Sequence, residues 1–167
     1  MKRDSLQANK ICTLREIEKI AAGARREGKR VVTTNGCFDI LHVGHVRNLK
    51  TAKTLGDILI VGINSDASVR KHKGPSRPII PARERAEMLA SLASVDHVFI
   101  FSGRTIFSWV KKIKPNIHVK GGGADILAHP DFSPQKKVIE ENGGKLVLIP
   151  HVKGKSTSQI IQKILKI

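Results

Sequence analysis

Short, β-branched apolar segments alternate with segments of helical periodicity along most of this chain. The strand-like segments lie at residues 30–34, 57–63, 97–101, 116–120 and 145–149. Apolar residues with helical spacing occupy 14–27, 44–55, 82–93, 105–113, 133–142 and the stretch from 156 to the end. Segment 57–63 is apolar on both faces, which is typical of a strand in a parallel sheet that is covered on both sides. The alternation predicts an α/β fold, a Rossmann-like parallel sheet of about five strands with helices on both faces.

The length of the chain fits one domain. Its 167 residues lie within the roughly 100–200 that a domain usually takes, so we expect a single domain over 1–167 with a flexible start at 1–9. No apolar run approaches the roughly 18 residues that span a bilayer, and the start of the chain lacks the apolar stretch of a secretory signal. Cys12 and Cys37 match no paired metal-ligand spacing. We therefore expect a cytoplasmic protein with no membrane partner and no fixed metal site.

The charge of the chain favours anionic partners. Thirty Lys and Arg against fourteen Asp and Glu give a net charge of +16, which attracts nucleic acid, anionic membranes or phosphorylated metabolites. The basic residues are scattered along the chain, and aromatic residues make up only 4% with no Tyr. Platforms on which the bases of single strands could stack are therefore scarce, and nucleic acid is not expected as the main partner.

Ligands of open parallel sheets bind at the carboxyl ends of the strands, near the point where the strand order reverses. The segments that matter most therefore follow residues 34, 63, 120 and 149. The second of these segments, 64–81, is rich in Lys, Arg, Gly and Pro and is predicted to be a long loop. His97, His118, His129 and His151 belong to no motif, and we expect structural or surface roles for them.

The segment after the first strand carries two histidines at the start of a predicted helix. His42 and His45 are three residues apart, so both imidazoles can face the same side. A helix N-terminus presents free N–H groups and a positive dipole end, which suit a phosphate. Gly36 and Gly44 would let a nucleotide lie close to the backbone. The alternative is that one histidine packs structurally and the glycines only shape a turn.

The residues around this pair carry a resemblance to a known family. The pattern Thr34-x-Gly-x-Phe-Asp-x-Leu-His-x-Gly-His45 resembles the signature of the cytidylyltransferase-like nucleotidyltransferase superfamily. Segments 64–68, 73–78, 119–122 and 156–161 follow in matching order and are similar to the adenylyltransferase domain of ADP-heptose synthase. The resemblance implies that ATP and D-glycero-β-D-manno-heptose 1-phosphate give ADP-heptose and pyrophosphate, with Mg²⁺ bound mainly through the nucleotide phosphates. It also implies a homodimer or higher oligomer.

The resemblance also implies roles for individual residues. His42 and His45 would hold the triphosphate at the α-phosphate, and Lys73 would neutralise charge as its loop closes over the site. The predicted nucleotide-binding residues are Asn35, Gly36, Cys37, Phe38, Asp39, Gly44, Arg85, Lys120, Gly121, Ser156, Thr157 and Ser158. The predicted substrate-binding residues are Asn64, Asp66, Lys71 and Gly122. Ser156 to Ser158 also fit a helix N-cap, a role that is compatible with phosphate binding.

Two segments depart from the pattern of the family. The family usually continues the Lys-Gly-Gly segment with an acidic residue, where this chain has Gly123 with Asp125 two residues later. It is also commonly acidic where this chain has Gly103 and Arg104. Both departures raise the positive charge and leave room for another phosphorylated acceptor. The alternatives are a glycerol-3-phosphate cytidylyltransferase, an FAD synthetase acting on FMN, and a non-catalytic nucleic-acid-binding protein on the same fold.

Overall fold

A parallel five-stranded sheet forms the centre of the protein. In the computed structural model the described residues are 10–103, 105–122, 127, 130–150, 152 and 154–167. The strands are β1 (Val31–Gly36), β2 (Ile58–Asn64), β3 (His97–Phe101), β4 (Ile117–Gly121) and β5 (Lys145–Ile149). Over the described residues the helices are α1 (Leu14–Arg26), α2 (Val43–Lys53), α3 (Asp66–Lys73), α4 (Ala82–Ala90), α5 (Phe107–Ile113), α6 (Phe132–Glu140) and α7 (Thr157–Ile164). The α/β class and the parallel sheet predicted from the alternation are confirmed.

The strand order is β3-β2-β1-β4-β5, so the chain reverses direction across the sheet between β1 and β4. In register, Val32 of β1 lies beside Leu59 of β2 and Ile117 of β4. The carboxyl ends of β1 and β4 therefore adjoin at the point where the strand order reverses. This is the place where open α/β sheets bind their ligands.

Two apolar cores form because successive side chains of each strand point to opposite faces of the sheet. Val31 packs on one face, in a core with Phe99 of β3 and Trp109 of α5. Val32 packs on the other face, in a core with Leu49 of α2 and Leu89 of α4. The sheet is thus covered on both sides, which explains why β2 is apolar at nearly every position.

The helix boundaries follow local signals in the sequence. Thr13 caps α1 with a capping box, in which its hydroxyl accepts from the Glu16 N–H and the Glu16 carboxylate accepts from the Thr13 N–H. Ser156 caps α7 by accepting from the Gln159 N–H at 3.2 Å. None of the helices in the described ranges has the length and apolarity needed to cross a membrane.

The prediction of an uninterrupted loop over 64–81 is wrong in part. Residues Asp66–Lys73 form α3, and the Ser65 hydroxyl caps it by accepting from the Ser68 N–H. Val69 is the one apolar residue that this short helix buries, so it shows almost no apolar periodicity. Strand β1 also continues two residues beyond the predicted end, and Asn35 and Gly36 belong to the strand.

Candidate functional site

The two histidines lie side by side at the start of α2. His42 occupies the N-cap position with an extended backbone (φ −139°, ψ 167°), and His45 lies in the first turn. Their rings stack with centroids 3.8 Å apart and an interplanar angle of 22°. The stacked pair therefore presents two imidazoles beside the free N–H groups of a helix N-terminus.

The turn between β1 and α2 brings Phe38 against this pair. Phe38 has a φ of +48°, in the left-handed region that residues with side chains seldom adopt. Its ring centroid lies 5.0 Å from that of His45, and a Cβ on Gly36 would come within 3.0 Å of the Phe38 ring. Glycine at 36 thus allows the turn to fold back tightly. Backbone strain of this kind concentrates at ligand sites.

A first cavity of about 260 Å³ opens beside the histidines. It is bounded by the carboxyl end of β1, the start of α2, the end of β4 and the start of α7. Its polar lining includes Asn35, His42, His45, Asn48, Lys155 and Ser156. Two helix N-termini and a lysine thus converge on one space, an arrangement that favours a polyphosphate.

Two glycines allow the walls of the first cavity to approach closely. A Cβ on Gly44 would lie 2.9 Å from the His42 ring and 3.3 Å from the Lys155 side chain. A Cβ on Gly121 would lie 2.7 Å from the amide nitrogen of Asn48. Larger residues at these positions would displace the His42 ring or the Asn48 amide, both of which line the cavity.

A second cavity of about 340 Å³ lies across the strand ends from the first. Asn35 and Cys37 line both cavities and form their shared wall. The remaining lining of the second cavity is Asn64, His72, Lys73, Ile106, Lys120, Asp131, Phe132 and Gln135. Two lysines against one carboxylate make this cavity a second place suited to an anion.

The two cavities lie on opposite faces of the sheet at its carboxyl edge. Val119 and Lys120 are neighbours on β4, so their side chains point to opposite faces. Val119 lines the first cavity and Lys120 lines the second. Two ligands bound in these cavities would therefore meet at the carboxyl end of β1, beside Asn35 and Cys37.

Arg85 of α4 joins several segments at the carboxyl edge of the sheet through hydrogen bonds. Its side chain is 0% exposed and donates to the carbonyls of Cys37, Asn64 and Ile80. It also pairs with the Asp66 carboxylate at 2.7 Å, which in turn accepts from the Ala82 N–H at 2.9 Å. The guanidinium thus links the residue that follows β1 to the last residue of β2.

Asp39 forms a similar clamp to the segment before α4. One of its oxygens accepts from the N–H groups of Ile79 and Ile80 at 2.7 and 3.0 Å. The other pairs with the Arg77 guanidinium at 2.6 Å. This buried carboxylate fixes the turn that carries Phe38 against the segment 77–80.

The structure gathers many of the predicted site residues but not all. Of the predicted nucleotide-binding residues, those that line the first cavity are Asn35, Gly36, Cys37, Phe38, Gly44, Gly121, Ser156 and Thr157. Asn64, Lys73 and Lys120 line the second cavity. Asp39, Asp66, Lys71, Arg85, Gly122 and Ser158 line neither. Gly123, Asp125, Arg104, His129, His151 and the start at 1–9 lie outside the described residues.

Arg85 and Asp66 line neither cavity and are bonded to each other. A phosphate contact was predicted for Arg85 and a substrate contact for Asp66. Arg85 donates its N–H groups to protein carbonyls and to the Asp66 carboxylate, because its side chain lies wholly inside the fold. These bonds join the loops around the cavities, and the predicted phosphate and substrate contacts stay predictions.

Burial shifts the titration of three groups near the two cavities. It raises the pKa of the Cys37 thiol, so the thiol stays protonated at neutral pH. Burial also lowers the pKa of Lys120, an effect that the nearby Asp131 carboxylate opposes. On the Lys120 face of β4, burial lowers the pKa of His118 to about 3, and the charge on Lys120 adds to this.

Several lining residues were not identified from the sequence. Asn48 lies three residues after His45 on α2, and helical spacing from the histidines could have found it. Lys155 precedes the predicted cap Ser156, a position from which a lysine reaches the first cavity. Asp131, Phe132 and Gln135 reach the second cavity only through the packing of α6 on the sheet, for which the sequence holds no local signal.

Comparison with known proteins places this architecture in a family. The family model described as cytidylyltransferase-like matches residues 33–163. The bifunctional protein HldE of Trichlorobacter lovleyi is 45% identical over 162 residues, which are 95% of this chain and 31% of that protein. This chain thus spans about a third of the length of the HldE proteins that it matches.

Solved structures agree with this placement. A lipopolysaccharide core biosynthesis protein from Thermoplasma volcanium superposes with a TM-score of 0.62 at 28% identity, over 77% of this chain and 100% of that one. A pantoate-beta-alanine ligase from Francisella tularensis shares the fold, with a TM-score of 0.57 at 17% identity over 95% of this chain and 78% of its own. The sequence signature, the fold and these matches agree, and the chain belongs to the cytidylyltransferase-like family and is a nucleotidyltransferase.

Proposed function

We propose that the protein is an adenylyltransferase that transfers AMP from ATP to a sugar 1-phosphate, with D-glycero-β-D-manno-heptose 1-phosphate as the acceptor. The observation that carries the proposal is the stacked His42–His45 pair, which faces a cavity shared with a second helix N-terminus. Imidazoles and helix N-termini together offer several hydrogen-bond donors to the oxygens of a triphosphate.

The chemistry needs positioning and charge stabilisation rather than a covalent enzyme intermediate. An oxygen of the acceptor phosphate forms a bond to the α-phosphorus of ATP. The bond from that phosphorus to the oxygen bridging the β-phosphate breaks in line with it, and pyrophosphate leaves with the electron pair. His42 and His45 donate hydrogen bonds to the α-phosphate oxygens, where negative charge accumulates in the transition state. Lys155, Ser156 and Thr157 hold the β- and γ-phosphates from the start of α7.

Before this step, the acceptor phosphate would approach from the second cavity. Lys73 and Lys120 line that cavity and would neutralise the phosphate as it nears the triphosphate. Asn35 and Cys37, at the shared wall, would mark the place where the two substrates meet. The two-sided arrangement brings two anions together at the strand ends and holds them for in-line attack.

Mg²⁺ is proposed to accompany the nucleotide, where it would neutralise charge on the phosphates. Among the described residues there is no group of three or more His, Cys, Asp or Glu side chains that could hold a metal ion. The carboxylates of Asp39 and Asp66 are engaged by Arg77 and Arg85. The ion is therefore expected to bind through the phosphates themselves.

Two lines of support favour the heptose acceptor. The segments 64–66 and 120–122 resemble the heptose branch of the family more than the glycerol-3-phosphate or FMN branches. Several matched relatives carry the name bifunctional protein HldE, and one structural neighbour is titled a lipopolysaccharide core biosynthesis protein.

The test is pyrophosphate release with ATP or CTP, each combined with heptose 1-phosphate, other sugar 1-phosphates, glycerol 3-phosphate or FMN. Release with ATP and the heptose 1-phosphate alone is the expected result. Release with another pair would keep nucleotidyl transfer and replace the substrate. Absence of release with every pair, together with salt-dependent binding to nucleic acid, would overturn the proposal.

A further inference from the structure

Gln135 of α6 is a buried amide in the wall of the second cavity. Its side chain is 6% exposed, and its Oε1 has no hydrogen-bond partner among the described residues. Most buried polar atoms in proteins are hydrogen-bonded, since leaving one unpaired costs about 1–3 kcal/mol. A buried amide that lines a cavity and lacks a partner for its oxygen is therefore placed to receive one from a ligand.

The surroundings of Gln135 define what that ligand carries. Its apolar neighbours in the lining, Ile106 and Phe132, cannot donate a hydrogen bond, whereas Lys73 and Lys120 supply positive charge to the same space. An amide presents both an acceptor and a donor, and a hydroxyl group can satisfy either of them. A ligand with a phosphate for the lysines, hydroxyls for the amide and C–H faces for the apolar residues fits this lining.

We infer that Gln135 is a specificity-determining residue that hydrogen-bonds a hydroxyl of the acceptor sugar, while the sugar's phosphate lies toward Lys73, Lys120 and the shared wall at Asn35 and Cys37. This inference rests on the proposed function, because it takes the second cavity as the acceptor side of that reaction. It predicts selection among sugar phosphates by hydroxyl pattern, since a site built for a hydroxyl rejects an analogue that lacks it.

The experiment compares Gln135→Met with the wild type and with Lys136→Met, a neighbouring exposed position on α6. Methionine keeps the length of the side chain and removes its hydrogen bonds. The KM for the sugar 1-phosphate should rise about tenfold in Gln135→Met while the KM for ATP stays within about twofold. One deoxy analogue of the acceptor should lack the hydroxyl that Gln135 binds. The wild type should turn over this analogue more slowly than the full sugar, whereas Gln135→Met should turn over both at similar rates. Lys136→Met should match the wild type throughout.

The outcomes separate this inference from the proposed function. An active wild type together with an unchanged acceptor KM in Gln135→Met, or a loss shared equally by ATP and acceptor, would overturn the role of Gln135 and leave adenylyl transfer standing. A wild type that is inactive with every pair would remove the proposed function. The side-chain amide signals of Gln135, assigned by their absence in Gln135→Met, would then be followed by NMR during titration with a sugar 1-phosphate. A shift would support the second cavity as a sugar-phosphate site, and no shift would overturn it.

Discussion

The two cavities at the carboxyl edge of the sheet are built in different ways. Much of the first comes from one stretch of chain, from Thr34 to Leu49, which runs out of β1, turns at Phe38 and enters α2. The second collects single residues from segments far apart in sequence, such as Asn64, Lys73, Lys120 and Gln135. A contiguous stretch leaves a readable motif, whereas a site assembled by tertiary packing does not. The side that we assign to the nucleotide is therefore the recognisable one, and the side assigned to the acceptor can vary without altering the motif.

The largest expected effect comes from Arg85, because it supports both cavities at once. Arg85→Met removes donors from the carbonyls of Cys37 and Asn64 and leaves the Asp66 carboxylate without its cation. We expect the free energy of unfolding to fall by about 3–5 kcal/mol, because three carbonyls lose a charged donor at about 1–3 kcal/mol each, whereas the Asp66 carboxylate is 34% exposed and can be solvated. Urea denaturation would measure this. The KM values for ATP and for acceptor should both rise in the protein that remains folded.

Arg83→Met is the matched control on the same helix. Arg83 is exposed and its pairing with Glu87 spans 3.7 Å at the surface, so its loss should cost less than about 0.5 kcal/mol. If Arg85→Met is as stable as Arg83→Met, the guanidinium is not the support that its hydrogen bonds indicate. A rise in only one of the two KM values would mean that the hydrogen bonds from Arg85 to Cys37 and Asn64 support only one of the two cavities.

A smaller and more selective effect is expected from the histidines, which line the first cavity alone. His42→Ala or His45→Ala should lower kcat about 10²–10³-fold, the usual cost of removing a donor that stabilises transition-state charge. The acceptor KM should change little. The side chain of His42 makes no capping hydrogen bond to α2, so the helix should survive its loss. Steady-state kinetics with circular dichroism would check both statements, and Thr51→Ala, an exposed change on α2, is the control. Full activity in both histidine variants would contradict the assigned roles.

The same contrast explains which parts of the molecule could be predicted from sequence. The five strands, the helix start at His42 and the cap at Ser156 each depend on residues adjacent in the chain, and all three are present. Helix α3 was missed because its surface is basic and Val69 is its one buried apolar residue. The burial of Arg85 could not be foreseen, since its partners come from several separate segments. A polar residue such as Gln135 within a predicted helix gives no sign of being buried until the helix is packed.

The smallest expected effect concerns His118, which lies on the Lys120 face of β4 beneath the second cavity. It is fully buried, its Nδ1 lies 2.9 Å from the Thr33 hydroxyl, and its ring meets Trp109 edge-on. Burial lowers the pKa of His118 to about 3, against 6.5 in the absence of the fold. Between these values the unfolded chain binds a proton at this residue that the folded protein does not. The stability that His118 confers is therefore complete above about pH 6.5 and is lost as the pH falls, by up to about 1.4 kcal/mol per pH unit.

His118→Gln isolates this contribution, because glutamine can still hydrogen-bond the Thr33 hydroxyl but does not titrate. Above pH 7 the difference in the free energy of unfolding between wild type and variant should be constant. Between pH 6 and pH 5 it should shift toward the variant by about 1.2 kcal/mol, as measured by urea denaturation at each pH. Other acidic and basic groups titrate equally in both proteins, so they cancel in the difference. A difference that stays constant down to pH 5 would mean that the folded protein binds a proton at His118 as readily as the unfolded chain does, so burial beside Lys120 would not lower the pKa of His118.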